Sequence, residues 1–151
     1  MNFFLNCNPP KTTHQANLQP LRNRRTGALF IGKRSSSKGK ALQKEFRALL
    51  LPHKPKTPLS GPVSLQVAYL YAWNKSEPKK NRTSGWMWKA TRPDADNLPK
   101  IFVDVMTDLG FWEDDGQIAQ FLFQKAYVTN PGIRVKLTPL TAMEAPRWYE
   151  V

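Results

Sequence analysis

The sequence predicts a single α+β domain in which a mixed β-sheet of about four to five strands carries two helices on one face. Three observations support this class. The 151 residues suffice for one domain with a core. Five segments have the composition or alternation of strands, and two have apolar residues at helical spacing. Their order along the chain is β-α-β-β-α-β-β.

The first third of the chain is predicted to contain one strand, one basic loop and one helix. Residues 3–7 predict a short strand that a pair of prolines ends. Residues 11–37 are polar and basic around the apolar patch 29–31, and they predict a loop that is mobile without ligand. Residues 38–51 have apolar side chains at helical spacing and predict a helix.

The middle of the chain predicts a hairpin. Residues 63–73 alternate between large apolar and smaller or polar side chains, which strongly indicates a strand. Residues 74–85 form a charged loop, and residues 86–92 predict a second strand that pairs back on the first.

The clearest helix is predicted at 97–109. Its apolar residues recur at i, i+3, i+4, i+7, i+8 and i+11, which gives one buried stripe, and Gly110 suits its left-handed end. Residues 117–128 and 133–137 predict two further strands, joined as a hairpin through 129–132.

The domain is predicted to span 1–138, followed by a C-terminal tail at 139–151 that docks on the body or on a partner subunit. No apolar run approaches the roughly 20 residues of a membrane-spanning helix, so no membrane partner is expected. The first residues lack the basic start of a secretory signal. The single cysteine, Cys7, excludes an internal disulfide and a cysteine-based zinc cluster. We therefore expect a cytoplasmic protein.

Charge is distributed unevenly along the chain. Lys and Arg number 23 against 11 Asp and Glu, for a net charge of +12. Residues 1–93 contain 18 basic and 2 acidic side chains, whereas residues 94–151 contain 5 basic and 9 acidic ones. A basic body of this kind indicates a polyanionic partner such as nucleic acid.

Seven carboxylates lie close together in the acidic part: Asp94, Asp96, Asp104, Asp108, Glu113, Asp114 and Asp115. A nucleic-acid-binding protein gains nothing from such a cluster unless a cation lies between the carboxylates and the phosphates. The cluster therefore indicates a metal site.

Asp94 and Asp96 lie two residues apart in an extended segment, so their side chains point the same way. Such carboxylates suit Mg²⁺, which takes oxygen ligands in an octahedral array. Lys100 follows by one helical turn, and Asp115 can return to the same place if the chain after the helix doubles back. Spacing alone leaves a second interpretation open, in which these acids only cap a helix and form turns.

The order of these residues resembles that of a known family. Arg92-Pro93-Asp94-Ala95-Asp96-Asn97-Leu98-Pro99-Lys100 is followed by Asp104, Gly110, Asp114-Asp115-Gly116-Gln117-Ile118 and Lys125. This series is similar in order and spacing to the signature of RusA Holliday-junction resolvases. The similarity covers 92–137 closely, and 8–10 and 38–50 more loosely.

The resemblance implies a RusA-like fold and an Mg²⁺-dependent endodeoxyribonuclease, with Mn²⁺ as an alternative metal and no small-molecule cofactor. It implies that Asp94, Asp96 and Asp115 are the catalytic metal ligands and that Lys100 is a catalytic residue that assists phosphate cleavage. It also implies a homodimer that nicks two opposed strands of a branched, four-way DNA junction symmetrically. The setting would be DNA recombination and repair in a bacterial or phage-infected cell.

Other residues of the motif are expected to have supporting roles. Gln117 and Asn97 are expected to brace the site, and Asp114 is the less favoured ligand of its pair. Asp104 and Asp108 are interpreted as solvated residues on the helix face, with Asp104 able to pair with Lys100.

Basic residues are expected to follow the DNA backbone without reading bases. The candidates are Arg22, Arg24, Arg25, Lys33, Arg34, Lys79, Lys80, Arg82, Lys89, Arg92 and Lys125. Tyr71, Trp86 and Trp88 could stack on unpaired bases, although packing in the core or on the sheet is the stronger expectation. Two rival functions stay open: a non-catalytic nucleic-acid-binding protein, and a related nuclease that cuts flaps or replication forks.

Overall fold

A computed structural model describes residues 1–11, 17–34, 36–95 and 97–141, and only the backbone of 17–19, 33 and 34. The strands are β1 (Asn2–Leu5), β2 (Asn17–Arg22), β3 (Leu29–Arg34), β4 (Val63–Ala72), β5 (Trp86–Trp88), β6 (Ile118–Val128) and β7 (Gly132–Pro139). The helices are α1 (Ser37–Leu50), α2 (Lys79–Arg82) and α3 (Lys100–Leu109). Five strands form a mixed sheet in the order β1-β7-β4-β6-β5. The predicted α+β class with a mixed sheet is confirmed.

The core lies between this sheet and the helices α1 and α3. Alternate residues of β4 are at most 5% exposed and point to the helices: Val63, Leu65, Val67, Tyr69 and Tyr71. Phe46 of α1 meets Phe102 of α3 edge-on, with ring centroids 5.1 Å apart. Phe102 also contacts Tyr69 at 6.1 Å, so both helices pack on one face of the sheet, as predicted.

Local signals account for the ends of both helices. The Ser36 hydroxyl accepts a hydrogen bond from the Gly39 backbone N–H and caps α1. Gly110 has φ 77° and ends α3 in the left-handed conformation, as its position predicts. The α3 helix begins at Lys100 rather than at 97. A turn precedes it, in which the Leu98 N–H donates to the Asp94 carbonyl oxygen.

Two predicted strand pairings are wrong. β5 pairs antiparallel with β6 and not with β4, and β7 pairs with β1 and β4 and not with β6. The cause is β4, whose two edges take β6 in parallel and β7 antiparallel. The link between β6 and β7 therefore crosses one strand instead of forming a hairpin, and its turn-like residues do not reveal this.

The prediction of a loop over 11–37 is also wrong for residues 17–34, which form a hairpin of β2 and β3. The Asn23 side chain accepts hydrogen bonds from the backbone of Arg25 and Thr26, and Gly27 has φ 72°. This turn chemistry and the apolar β3 residues Leu29 to Ile31 favour a hairpin. The basic composition, on which the prediction of a loop rested, does not prevent it.

Some expectations lie outside the described residues, among them the structure of the tail at 142–151 and of residues 12–16. The loop 74–85 contains the short helix α2. Within the described ranges, no helix has the length and apolar character needed to cross a membrane.

Candidate active site

Asp94 lies in the segment between β5 and α3, and one lysine fixes that segment. The ammonium of Lys125 on β6 donates hydrogen bonds to the carbonyl oxygens of Pro93, at 2.6 Å, and Thr91, at 3.2 Å. Both bonds end on the backbone just before Asp94, whose side chain is exposed. Lys125 thus ties this segment to the sheet. That it also contacts DNA stays a prediction.

A second set of contacts holds the same segment. The Thr91 hydroxyl lies 3.1 Å from the Tyr127 hydroxyl, and the Lys89 ammonium donates to both oxygens. Burial would raise the pKa of Tyr127, but hydrogen bonds with Thr91, Lys89 and Asn74 and the charge of Lys89 together lower it below its ordinary value. The backbone before Asp94 is therefore held by two residues of β6, Lys125 and Tyr127.

The α3 helix places Lys100 and Asp104 one turn apart, and the chain after the helix brings Asp115 towards them. Asp104 is exposed as a residue, but partial burial of its carboxyl raises its pKa. The Lys100 ammonium opposes that rise in pKa, and the carboxylates of Asp115 and Asp108 add to it. Asp115 is thus near enough to act electrostatically on Asp104. The prediction that Asp104 is an exposed helix-face residue is confirmed, but that prediction misses its link to Asp115.

A short 3₁₀ turn, Asp115–Gln117, presents Asp115. Asp114 caps this turn by accepting a hydrogen bond from the Gly116 N–H at 2.8 Å. The Gln117 carbonyl oxygen accepts from the backbone of Glu113 and Asp114, and its amide donates to the carbonyls of Leu59 and Gly61. Gln117 therefore fixes the turn, as expected, and Asp114 is occupied within it.

The donor groups fit a hard divalent cation in their chemistry. Asp94, Asp104 and Asp115 are exposed carboxylates that accept no hydrogen bond from the described residues. Mg²⁺ prefers such oxygen ligands. Across the described ranges, no three acidic, His or Cys side chains come close enough to hold an ion together. Asp96 lies outside those ranges, so the ligand set Asp94, Asp96 and Asp115 stays a prediction, as does the role of Lys100.

The predicted DNA contacts fall on three surfaces. Arg22, Arg24 and Arg25 are exposed around the β2–β3 turn, whereas the side chains of Lys33 and Arg34 lie outside the described residues. Lys79 and Lys80 are exposed on α2. The Arg82 guanidinium donates to the carbonyls of Asn74, Lys75 and Glu77, so it organises the loop that carries α2. Arg92 is exposed beside Asp94. The Lys89 ammonium donates hydrogen bonds to the hydroxyls of Thr91 and Tyr127.

The aromatic candidates lie on opposite faces of the sheet. Trp86 and Trp88 pair in register with Val128 and Ala126, while Tyr71 pairs with Tyr127. Successive residues of a strand point to opposite faces, so the two tryptophans lie on the face away from α1 and α3. They are 49% and 58% exposed. Sequence reasoning missed Tyr127, because only the parallel pairing of β4 with β6 brings it beside Tyr71.

Comparison with known proteins gives consistent results. A family model described as Endodeoxyribonuclease RusA matches residues 9–138. A crossover junction endodeoxyribonuclease rusA from Lactococcus phage r1t is 34% identical over 95 residues, which is 62% of this chain and 68% of that protein. The uncharacterized protein YqaN of Bacillus subtilis is 27% identical over 124 residues, or 77% of this chain and 87% of its own. Crossover junction endodeoxyribonuclease RusA of Escherichia coli K12 is 41% identical over 61 residues, covering 40% of this chain and 50% of that protein.

Proposed function

The chain belongs to the RusA family of endodeoxyribonucleases, and from that premise we propose that it resolves four-way DNA junctions by metal-dependent, paired nicks. The observation that carries the proposal is the approach of Asp115 to the α3 helix, where it acts electrostatically on Asp104. Lys100 lies in the first turn of that helix, and Asp94 lies in the segment that leads into it. The proposed substrate, a DNA crossover junction, comes from the names of the phage and Escherichia coli relatives.

The proposed reaction is hydrolysis of a phosphodiester: water attacks phosphorus, and one bond to a deoxyribose oxygen breaks. A divalent cation, Mg²⁺ or Mn²⁺, held by Asp94, Asp96 and Asp115 would supply Lewis-acid neutralisation of charge on the phosphate. Lys100 donates a hydrogen bond to a phosphate oxygen and stabilises the charge that develops there. Asp104, one turn along the helix, attracts the Lys100 ammonium and orients it.

Paired nicks on opposed strands need two active sites, so we propose that the protein acts as a homodimer. Exposed apolar side chains on the sheet face away from the helices support association: Trp86, Trp88 and Leu122, the last 43% exposed. Light scattering during size-exclusion chromatography should give twice the monomer mass of 17.3 kDa. A monomeric mass in the presence of junction DNA would contradict the dimer.

The function is tested with a synthetic junction in which each strand is labelled in turn. With Mg²⁺ we expect symmetric nicks in two opposed strands, and with EDTA none. A matched duplex, a flap and a replication fork provide the specificity controls. Cutting of forks or flaps alone assigns a different substrate, and tight junction binding without any cutting removes the nuclease assignment from this chain.

A matched pair of variants tests the predicted carboxylate site. Asp96→Asn should abolish cutting while leaving junction affinity equal or higher, because it removes a negative charge that faces DNA. Asp108→Asn makes the same chemical change on an exposed position of α3 and should cut normally. If Asp96→Asn cuts normally, the metal site is wrong.

A further inference from the structure

A cleft of about 580 Å³ opens at the C-terminal ends of the two parallel strands β4 and β6. Its volume lies within the range of about 300–1,000 Å³ that is typical of sites for small ligands. Three aromatic side chains form one part of its lining: Tyr71 of β4 and Tyr127 of β6, which are buried, and Trp73 just after β4, which is partly exposed. The Tyr71 hydroxyl donates to the Pro10 carbonyl oxygen, which anchors the segment after β1 at the mouth.

The charge of the cleft indicates an anionic ligand. Its cationic lining residues are Lys11, Lys75, Lys89 and Arg92. No acidic residue of the described chain lines it. The side chains of Lys11, Lys75 and Arg92 are exposed and have no hydrogen-bond or ion-pair partner within the described ranges. Three cations are therefore available to phosphate groups.

The aromatic side chains add a second kind of recognition. The Lys89 ammonium lies 5.1 Å from the ring centroid of Tyr71 and 5.0 Å from that of Tyr127. Trp73 and Tyr127 stack with centroids 6.2 Å apart and planes 20° apart. Aromatic rings bind bases only where those bases are unpaired, because a duplex buries the base faces. A duplex is also too wide to enter a cavity of this volume.

The cleft adjoins the candidate active site. Arg92 lines it, and Asp94 follows two residues later, a backbone distance of at most about 7 Å. The hydrogen bonds of Lys125 to the carbonyls of Thr91 and Pro93 fix the backbone on both sides of Arg92. A strand held by Arg92 is therefore presented to Asp94.

From these observations we infer that the cleft binds one unpaired nucleotide of a DNA strand, with its base against the partly exposed Trp73 and its flanking phosphates on Lys11, Lys75 and Arg92. At a four-way junction the bases can all be paired, so a base pair at the branch point must open to supply such a nucleotide. The inference deepens the proposed function and rests on it for the identity of the DNA. Binding to the cleft itself needs neither metal nor cleavage.

The first experiment measures DNA binding in EDTA by fluorescence anisotropy. The three ligands are a 12-nucleotide oligothymidylate, a duplex of equal length and an uncut junction. The double variant Lys11→Ala/Lys75→Ala should bind the oligothymidylate and the junction about tenfold more weakly. The log–log slope of its salt dependence for the oligothymidylate should fall by about 1.4, because each lysine that neutralises a phosphate of a single strand accounts for about 0.7.

The double variant Lys40→Ala/Lys136→Ala removes the same charge from two exposed positions that do not line the cleft, and it is the control. It should change affinity by less than about threefold. Equal losses in the two double variants, or as large a loss for duplex as for oligothymidylate, would overturn the inference. Melting temperatures equal to the unaltered protein's show that both variants are folded.

The second experiment locates the base. A single strand that carries 5-iododeoxyuridine is photocrosslinked to the protein, and the linked residue is found by mass spectrometry. Linkage to Trp73 supports the inference. Linkage only to Trp86 or Trp88, on the opposite face of the sheet, overturns it.

The outcomes of these experiments distinguish a failure of the cleft inference from a failure of the proposed function. If junctions are cut in pairs but the cleft variants behave like their control, the function stands and the cleft inference fails. If the oligothymidylate binds in the cleft but no junction is cut under any metal condition, the cleft stands and the function fails.

Discussion

Arg92 and Asp94 are separated by one residue, yet they belong to regions of opposite charge. On the Arg92 side lies a cleft with four cationic and no acidic lining residues among those described. On the Asp94 side lie α3 and the turn that presents Asp115, where partial burial and then the carboxylates of Asp115 and Asp108 raise the pKa of Asp104. The first region suits a phosphate, and the second suits a cation.

The difference teaches that binding and chemistry can be separated in this molecule. A phosphodiester that bridges the two regions would neutralise the cations directly and the carboxylates through a metal. The boundary is held by Lys125, whose two hydrogen bonds reach the carbonyls on either side of Arg92. Substitutions on the two sides should therefore have opposite signatures.

The largest effect is expected on the acidic side. Asp115→Asn should lower single-turnover cleavage by at least about 100-fold, since a metal's charge stabilisation is worth several kcal/mol and each 1.4 kcal/mol is about tenfold. Binding of oligothymidylate in EDTA should be unchanged or slightly tighter. Asp114→Asn is the neighbouring control and should retain far more cleavage, since Asp114 is occupied by the turn. Equal losses in both variants would break the distinction between the two residues.

Lys100→Met should lower the cleavage rate by about 100-fold, the effect of removing one donor that stabilises charge in the transition state. The Michaelis constant and junction affinity should change little, because Lys100 acts at the reacting phosphate rather than in the cleft. Lys100→Arg should restore part of the rate. A variant that loses affinity as strongly as rate would instead place Lys100 with the binding residues.

Lys125 tests the boundary between the regions. Lys125→Met keeps the apolar stem and removes the ammonium from the Pro93 and Thr91 carbonyls. Groups that orient metal ligands typically change metal affinity by about 10- to 100-fold, so we expect about a tenfold rise in the Mg²⁺ concentration for half-maximal cleavage. Calorimetry with Mn²⁺ should show weaker binding without DNA. Unchanged metal affinity with weaker oligothymidylate binding would make Lys125 a DNA contact.

The smallest effect concerns stability without metal. Burial above all raises the pKa of Asp104, so the ionised carboxylate is less stable in the folded chain than in the unfolded chain. Asp104→Asn should therefore raise the melting temperature slightly at pH 7 in EDTA. The gain should disappear as pH falls below the carboxyl's unfolded pKa, because the group is then protonated in both states. A gain that persists at acid pH would refute the electrostatic cause.

Sequence patterns predicted the parts of this protein that depend on neighbouring residues. The apolar stripe of α3, the alternation in β4 and the left-handed Gly110 are each determined within a few residues, and all three were correct. The same holds for the turn of Asp114 and Gln117, whose hydrogen bonds are largely local. The acidic motif was visible because its members lie close together in sequence.

Two strand pairings were predicted wrongly because pairing depends on distant residues. Residues 129–132 have good hairpin chemistry, but β7 pairs with the edge of β4 that β6 leaves open and not with β6. The cleft was missed for the same reason. Lys11, Tyr71, Lys89 and Tyr127 come from four separate segments that only the parallel pairing of β4 and β6 assembles.

The position of β4 has a consequence for synthesis of the chain. Both strands that flank it, β6 and β7, are translated after it, and β7 is complete only about 70 residues after β4 has been made. At about 5–20 residues per second, the ribosome needs about 4 to 14 s for that interval. For seconds the nascent chain therefore contains the apolar segment of β4 before both of its strand partners are available. During that time the segment is open to aggregation and to binding by chaperones.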